Sequence, residues 1–183
     1  MEHLKDFIYK NSHQLFKTTE GLKYEAVFDN RGFFFEPNTE EIYKMIRNAP
    51  HLYVAWTKDP KGYVYIGKSL QKGGRWKRSH AYHMGTLAHH LLGQTRSDDQ
   101  NHEHWIDHWM DRSSVKISNE GLHTIGLKHE VYISFIPYEL YSEFFTNEEI
   151  PSNPRAVNTI AEKMLIQAYR SGGDGVILLN VLK

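Results

Sequence analysis

The chain has no cysteine among its 183 residues. That excludes disulfides, thiolate zinc sites and cysteine nucleophiles, and it fits a reducing cytoplasmic setting. No apolar run approaches the ~18 residues of a membrane helix, so neither a transmembrane segment nor a membrane partner is expected. The opening MEHLKDFIYK mixes acids with bases and has no apolar stretch, so no secretory signal is expected there. A surplus of one charge is also missing, since 22 Lys and Arg offset 22 Asp and Glu. Nonspecific nucleic-acid binders are usually basic, so this balance argues against one.

What is present is unevenly placed. Between Lys68 and His90 stand five Lys or Arg (Lys68, Lys72, Arg75, Lys77, Arg78), four His (His80, His83, His89, His90) and no acid. Acids gather instead at 98–111 and 139–149. A basic face on a neutral chain suits binding confined to one site. Aromatics are plentiful at 13%, and 40% hydrophobic residues suffice for one sizeable core or for a domain with an extension.

Apolar spacing predicts a helix over 1–20 (Leu4, Phe7, Ile8, Leu15, Phe16). A hairpin over 24–37 would turn at Asn30-Arg31-Gly32. Thr39 before Glu40 and Glu41 reads as the N-cap of a helix ending before Pro50. HLYVAW (51–56) and YVYIGKS (63–69) flank a Lys/Asp/Pro/Gly turn and predict a β-hairpin. A helix is expected over 76–92, a loop over 93–101 and a short amphipathic helix over 102–111 carrying Trp105, Ile106 and Trp109. HEVYISFIPY (129–138) alternates as a strand, 155–170 reads as a strong helix, and VILLNVLK (176–183) reads as a terminal strand.

The hairpin holds the chemistry. Tyr53 and Tyr65 lie one on each strand, with Lys68, Arg75 and His80 close behind. Alternation counts Tyr53 inward with Ala55; it puts Tyr63 and Tyr65 on one face and Val64 and Ile66 on the other, the natural core face, so Tyr65 is expected to point to a face where a cleft can form. Gly67 lets backbone approach a ligand. A phenol is a poor base at neutral pH, but a neighbouring ammonium such as Lys68 would lower its pKa. The planar fork of Arg75 suits a phosphate gaining charge, and Arg78, about one turn later, is its rival. The bland reading of the same residues is a core hairpin beside a solvated basic helix.

LYVAW followed by YVYIGKS resembles the paired signature of the GIY-YIG nuclease superfamily. The first half is His51-Leu52-Tyr53 rather than Gly-Ile-Tyr; the second, Tyr65-Ile66-Gly67, is intact. The tyrosines are twelve residues apart, and Arg75 lies ten residues after Tyr65, where the family places its catalytic arginine. Glu162, in AEKMLI, resembles the family's metal-binding glutamate, and Asn180 sits near where the family often has an asparagine. The resemblance covers about 50–92 and 128–183.

It implies an α/β (α+β) domain with a small, mostly antiparallel three-stranded sheet flanked by helices. Residues 1–48 would be an N-terminal extension and 49–183 the nuclease domain, with 93–127 inserted. The implied activity is Mg²⁺-dependent (or Mn²⁺-dependent), sequence-specific hydrolysis of double-stranded DNA, as in type II restriction enzymes. Tyr53 would be the favoured base, with Tyr65 orienting or exchanging roles; Lys68 would tune a phenol, Arg75 would stabilise the pentacovalent phosphate and Glu162 would hold the metal. The family's histidine past the arginine has no match at Ser79, which leaves His80, His83 or Lys68 itself for that role. Lys72, Lys77, Arg78, His83 and Asn180 are expected to bind DNA. Cutting both strands implies a homodimer or higher homo-oligomer. The alternatives are a repair or homing nuclease, a non-catalytic nucleic-acid-binding module on the same fold, and an interaction protein whose tyrosines are core. His104, His108 and Asp107 could instead bind zinc, but the order H-E-H-W-I-D-H is not that of a metalloprotease.

Overall fold

The computed structural model describes residues 2–21, 23–29, 32–34, 39–47, 51–58, 62–69, 108–137, 153–172 and 175–180. The expected helix over 76–92 lies outside them, as does most of the 102–111 segment.

The expected hairpin forms. Strands β5 (His51–Thr57) and β6 (Tyr63–Ser69) pair antiparallel, with Tyr53 opposite Gly67 and Ala55 opposite Tyr65. The Tyr63 amide donates to Thr57 Oγ1 at 2.9 Å and closes the turn end. β9 (Val131–Pro137) pairs with the other side of β5, which is why every β5 residue except Trp56 is buried. Two short strands flank these three. β1 (Ser12–Gln14) pairs antiparallel with β9, and β10 (Ile177–Leu178) runs parallel to β6. The sheet therefore has five strands, β1-β9-β5-β6-β10, rather than three.

Residues 1–20 are not one helix. Helix α1 (Glu2–Lys10) ends where Asn11 and Ser12 turn their side chains back: Asn11 Nδ2 donates to the Phe7 carbonyl and Ser12 Oγ to the Ile8 carbonyl. Such back-bonding satisfies the last carbonyls and frees the next residues to pair with β9. Ser12 Oγ also accepts from Trp56 Nε1 at 2.7 Å, pinning the turn to β5.

A second sheet joins the two segments expected to be decorations. β2 (Lys17–Thr19), β3 (Lys23–Asp29) and β4 (Gly32–Phe33) come from the N-terminal region; β7 (Met110–Ile117) and β8 (His123–Leu127) come from the insertion. Their order is β2-β3-β8-β7, with β4 also on β3. Met110 and Asp111, expected at the end of a helix, are instead strand, because Met110 pairs with Leu127. Helix α2 (Thr39–Arg47) follows β4 as expected.

Helix α3 (Pro154–Ser171) covers the opposite face of the first sheet. Proline at its first position suits a site whose amide would have no helical partner. Val157, Ala161 and Leu165 recur at four-residue spacing and bury against Leu52, Val54, Val64, Ile66 and Ile136, with Leu4 and Ile8 of α1 beside them. The other core lies on the far side of the sheet. There Tyr53, Ala55, Ile133 and Phe135 share a core with Ala26, Phe28, Met110 and Ile125 of the second sheet and with Trp109 just before β7. Trp109, which a 35-residue excursion could not bury alone, thus packs on the chain's own core. Among the described residues no helix is long and apolar enough to cross a membrane.

Candidate active site

Gly67 and Tyr53 are directly opposed on neighbouring strands, and the phenol ring lies across the glycine. A Cβ at position 67 would collide with Tyr53 Cζ and Oη. The motif's glycine is therefore the space the motif's first tyrosine occupies. Tyr65, two residues before Gly67 on the same face, sits diagonally beside that ring, with centroids 6.1 Å apart at 38°.

The face that carries these phenols is not an open cleft. The second sheet closes it; Tyr53 is 2% exposed and belongs to the core between the sheets, while Tyr65 is partly buried against it. The two phenols act on each other's ionisation as neighbouring groups. Burial raises the Tyr53 pKa well above the ordinary phenol value, and Tyr65 and the charge of Glu162 act in the same direction. Tyr65 is pushed up to about 12, chiefly by burial; the Tyr53 O–H opposes the rise and Glu162 adds to it.

On α3, Asn158 and Glu162 are one turn apart and face the mouth of the hairpin. Asn158 Nδ2 donates to the His51 carbonyl at 3.4 Å and is fully buried. Glu162 Oε2 meets Lys68 Nζ at 2.5 Å, the two side chains being 18% and 27% exposed. Lys68 pairs with Leu52 and so lies on the helix-covered face, opposite the phenols. Its charge is taken up by Glu162, and the phenols move up in pKa rather than down as expected of a neighbouring ammonium.

Asn180 has a different task from the DNA contact expected of it. Its carboxamide grips the Ile66 backbone twice: Nδ2 donates to the Ile66 carbonyl at 2.6 Å and Oδ1 accepts from the Ile66 amide at 2.8 Å. This continues the β10–β6 pairing by side chain and fixes the residue between Tyr65 and Gly67. Sequence reading missed both this role and Asn158. A signal for Asn158 existed, in a polar residue four before Glu162 next to the apolar stripe of α3.

The described residues thus join Lys68 to Glu162, 94 positions away, on the helix-covered face, and set Tyr53 and Tyr65 beside Gly67 on the other face of the same hairpin. Lys72, Arg75, Lys77, Arg78, His80 and His83 lie outside the described residues. His108 lies against Tyr63, with ring centroids 5.2 Å apart, and His129 stands 5.6 Å from the same ring. Among the described residues no three His, Cys, Asp or Glu side chains cluster as a metal cage. One partly exposed carboxylate is a poor zinc site, but it fits a hard cation that keeps most of its water, as Mg²⁺ and Mn²⁺ do.

The raised phenols set a stability limit at high pH. A folded-state pKa above the unfolded value means that the native state holds more protons over that interval, so stability falls as pH rises through it. For Tyr65 the interval runs from about 10 to about 12, and Tyr132, also pushed to about 12 by burial and by Glu130, adds to the same limb. We expect stability to be unaffected by these groups below pH ~10 and to decline above it. Chemical denaturation between pH 8 and 11.5 checks this, and Tyr65→Phe should flatten the decline.

Comparison finds no family model, no curated protein and no solved structure that matches the chain.

Proposed function

We propose that the chain is a divalent-metal-dependent endonuclease that hydrolyses DNA phosphodiesters, in the manner of the GIY-YIG nucleases its hairpin resembles. The observation that carries the reading is the contact between Lys68 and Glu162. The resemblance and the apolar stripe beside it both single out that glutamate, far along the chain, and it lies against the hairpin with its charge acting on both phenols.

Roles follow from burial. Tyr65 is the phenol nearer solvent, and burial keeps its proton on, so it is the group that orients the attacking water. Tyr53, sealed over Gly67, positions Tyr65. This sets aside the preference for Tyr53 as base. Glu162 would hold Mg²⁺ or Mn²⁺, which when bound polarises the phosphate and steadies the leaving oxygen. Arg75 supplies the planar cation for the pentacovalent phosphate, His80 or His83 assists, and Lys72, Lys77 and Arg78 extend the basic face along the DNA backbone. A neutral chain with one basic stretch suits a sequence-specific cytoplasmic enzyme of the type II restriction kind, working as a homodimer so that two sites cut two strands.

One observation favours a second reading. Both phenols are raised in pKa and Tyr53 is sealed, as in a non-catalytic nucleic-acid-binding module with a tyrosine core. Phenylalanine substitutions separate the two. Tyr65→Phe should slow plasmid cleavage by about 10²–10⁴, while Tyr53→Phe should cost less, on the order of tenfold, since it acts through Tyr65. Single-turnover rates with saturating Mn²⁺ give the comparison. Equal, wild-type-like rates in both variants would leave the tyrosines as core and remove the mechanism.

A further inference from the structure

A metal ligand paired with a lysine raises the question of what holds the carboxylate when no metal is there. Glu162 is the acid that would anchor the cation, and its Oε2 is already met at 2.5 Å by the Lys68 ammonium. Both side chains are mostly shielded from water, so the pair is less screened than a surface ion pair. With an ammonium already on Oε2, a dication on the same carboxylate would stand within a few ångström of it, and that like-charge repulsion opposes metal binding. Lys68 also lies on the helix-covered face while the phenols lie on the other, with the side-chain-free Gly67 between Lys68 and Ile66 in sequence. We propose that Lys68 is a resident counter-ion that a divalent metal must displace from Glu162. Metal binding then exchanges one cation for another and releases an ammonium beside the site, where it can meet a DNA phosphate. This rests on the nuclease reading of Glu162 and adds a regulatory step to it. In the metal-free protein the carboxylate is neutralised and the lysine held back; metal loading arms both.

The test is Mn²⁺ binding to the full chain without DNA, by calorimetry or by the loss of free-ion signal in electron paramagnetic resonance. Lys68→Met keeps the length of the side chain and removes the competitor, so Mn²⁺ should bind about tenfold tighter than to wild type. The gain should vanish in the double variant Lys68→Met/Glu162→Gln. A second readout follows the lysine itself. Labelling of Lys68 by acetic anhydride should rise with Mn²⁺ in wild type and be high without metal in Glu162→Gln. Unchanged or weaker Mn²⁺ binding in Lys68→Met, with measurable binding in wild type, would overturn the exchange and leave the metal site standing. No saturable Mn²⁺ binding in either protein would overturn the metal reading together with the exchange.

Discussion

On the proposed function, the expected result for Glu162→Gln is loss of DNA cleavage with DNA affinity within about twofold of wild type. The swap keeps volume and an acceptor for Lys68 but deletes the carboxylate that meets the hairpin's lysine. A divalent ion supplies several kcal/mol of transition-state stabilisation, and at about 1.4 kcal/mol per tenfold step its loss costs about a thousandfold or more in rate. Stability should fall by no more than about 1 kcal/mol, because a partly exposed pair contributes little once screened. The rate comes from single-turnover cleavage and the affinity from filter binding in Ca²⁺. A variant that cuts like wild type would take Glu162 out of the site.

Among the described glycines, Gly67→Ala should be the most damaging single added methyl. The new Cβ would occupy the position of the Tyr53 ring, and that ring cannot swing away because Phe135 of β9 lies opposite it on the other side of β5. Overpacking of a sealed core costs about 1–3 kcal/mol, and here an entire ring must move. We expect a loss of about 3 kcal/mol in urea denaturation and no cleavage even well below the unfolding midpoint. Gly126→Ala is the control. Its Cβ would meet only the Ser114 side chain, Oγ at 2.7 Å and Cβ at 3.3 Å, so most of its cost is the hydrogen bond that the hydroxyl accepts from the Gly126 amide.

The elements that were legible carry strong local periods. β5, β6 and β9 alternate or run apolar, and α3 repeats Val157, Ala161 and Leu165 at helical spacing, so each pattern has one good solution. β1 and β2 were illegible because SHQ and KTT have no apolar alternation; they are strands only because β9 and β3 offer free edges. The second sheet was hidden for a related reason. Its central pairing sets Tyr24 against Leu127, about a hundred residues apart, and nothing local in either segment names the other. That sheet also packs against the face of Tyr65, where a cleft was expected, while Tyr53 lies inward with Ala55 as its count implied. Alternation places Tyr53 and Tyr65 on one face but cannot say whether that face meets water or another layer.

Within the candidate site, the spacing of Tyr53, Tyr65, Gly67 and Lys68 was readable, and so was Glu162 as a polar residue beside an apolar stripe. The Lys68–Glu162 pairing was not, since a lysine is equally able to serve a phenol, a phosphate or a carboxylate. Asn180 was readable only as a residue type; its grip on Ile66 depends on β10 lying parallel to β6.

The central claim is that this chain cuts DNA at the hairpin that carries Tyr65 and Lys68, with Glu162 against it. The most direct measurement is incubation of supercoiled plasmid with the purified full chain in Mg²⁺ or Mn²⁺, beside a chelator control and Glu162→Gln, followed by sequencing of the ends. Metal-dependent cleavage at one recurring sequence, absent in the control and in Glu162→Gln, is the predicted result. Plasmid that stays supercoiled in both metals while the protein binds it, or cleavage that Glu162→Gln retains, would contradict the account.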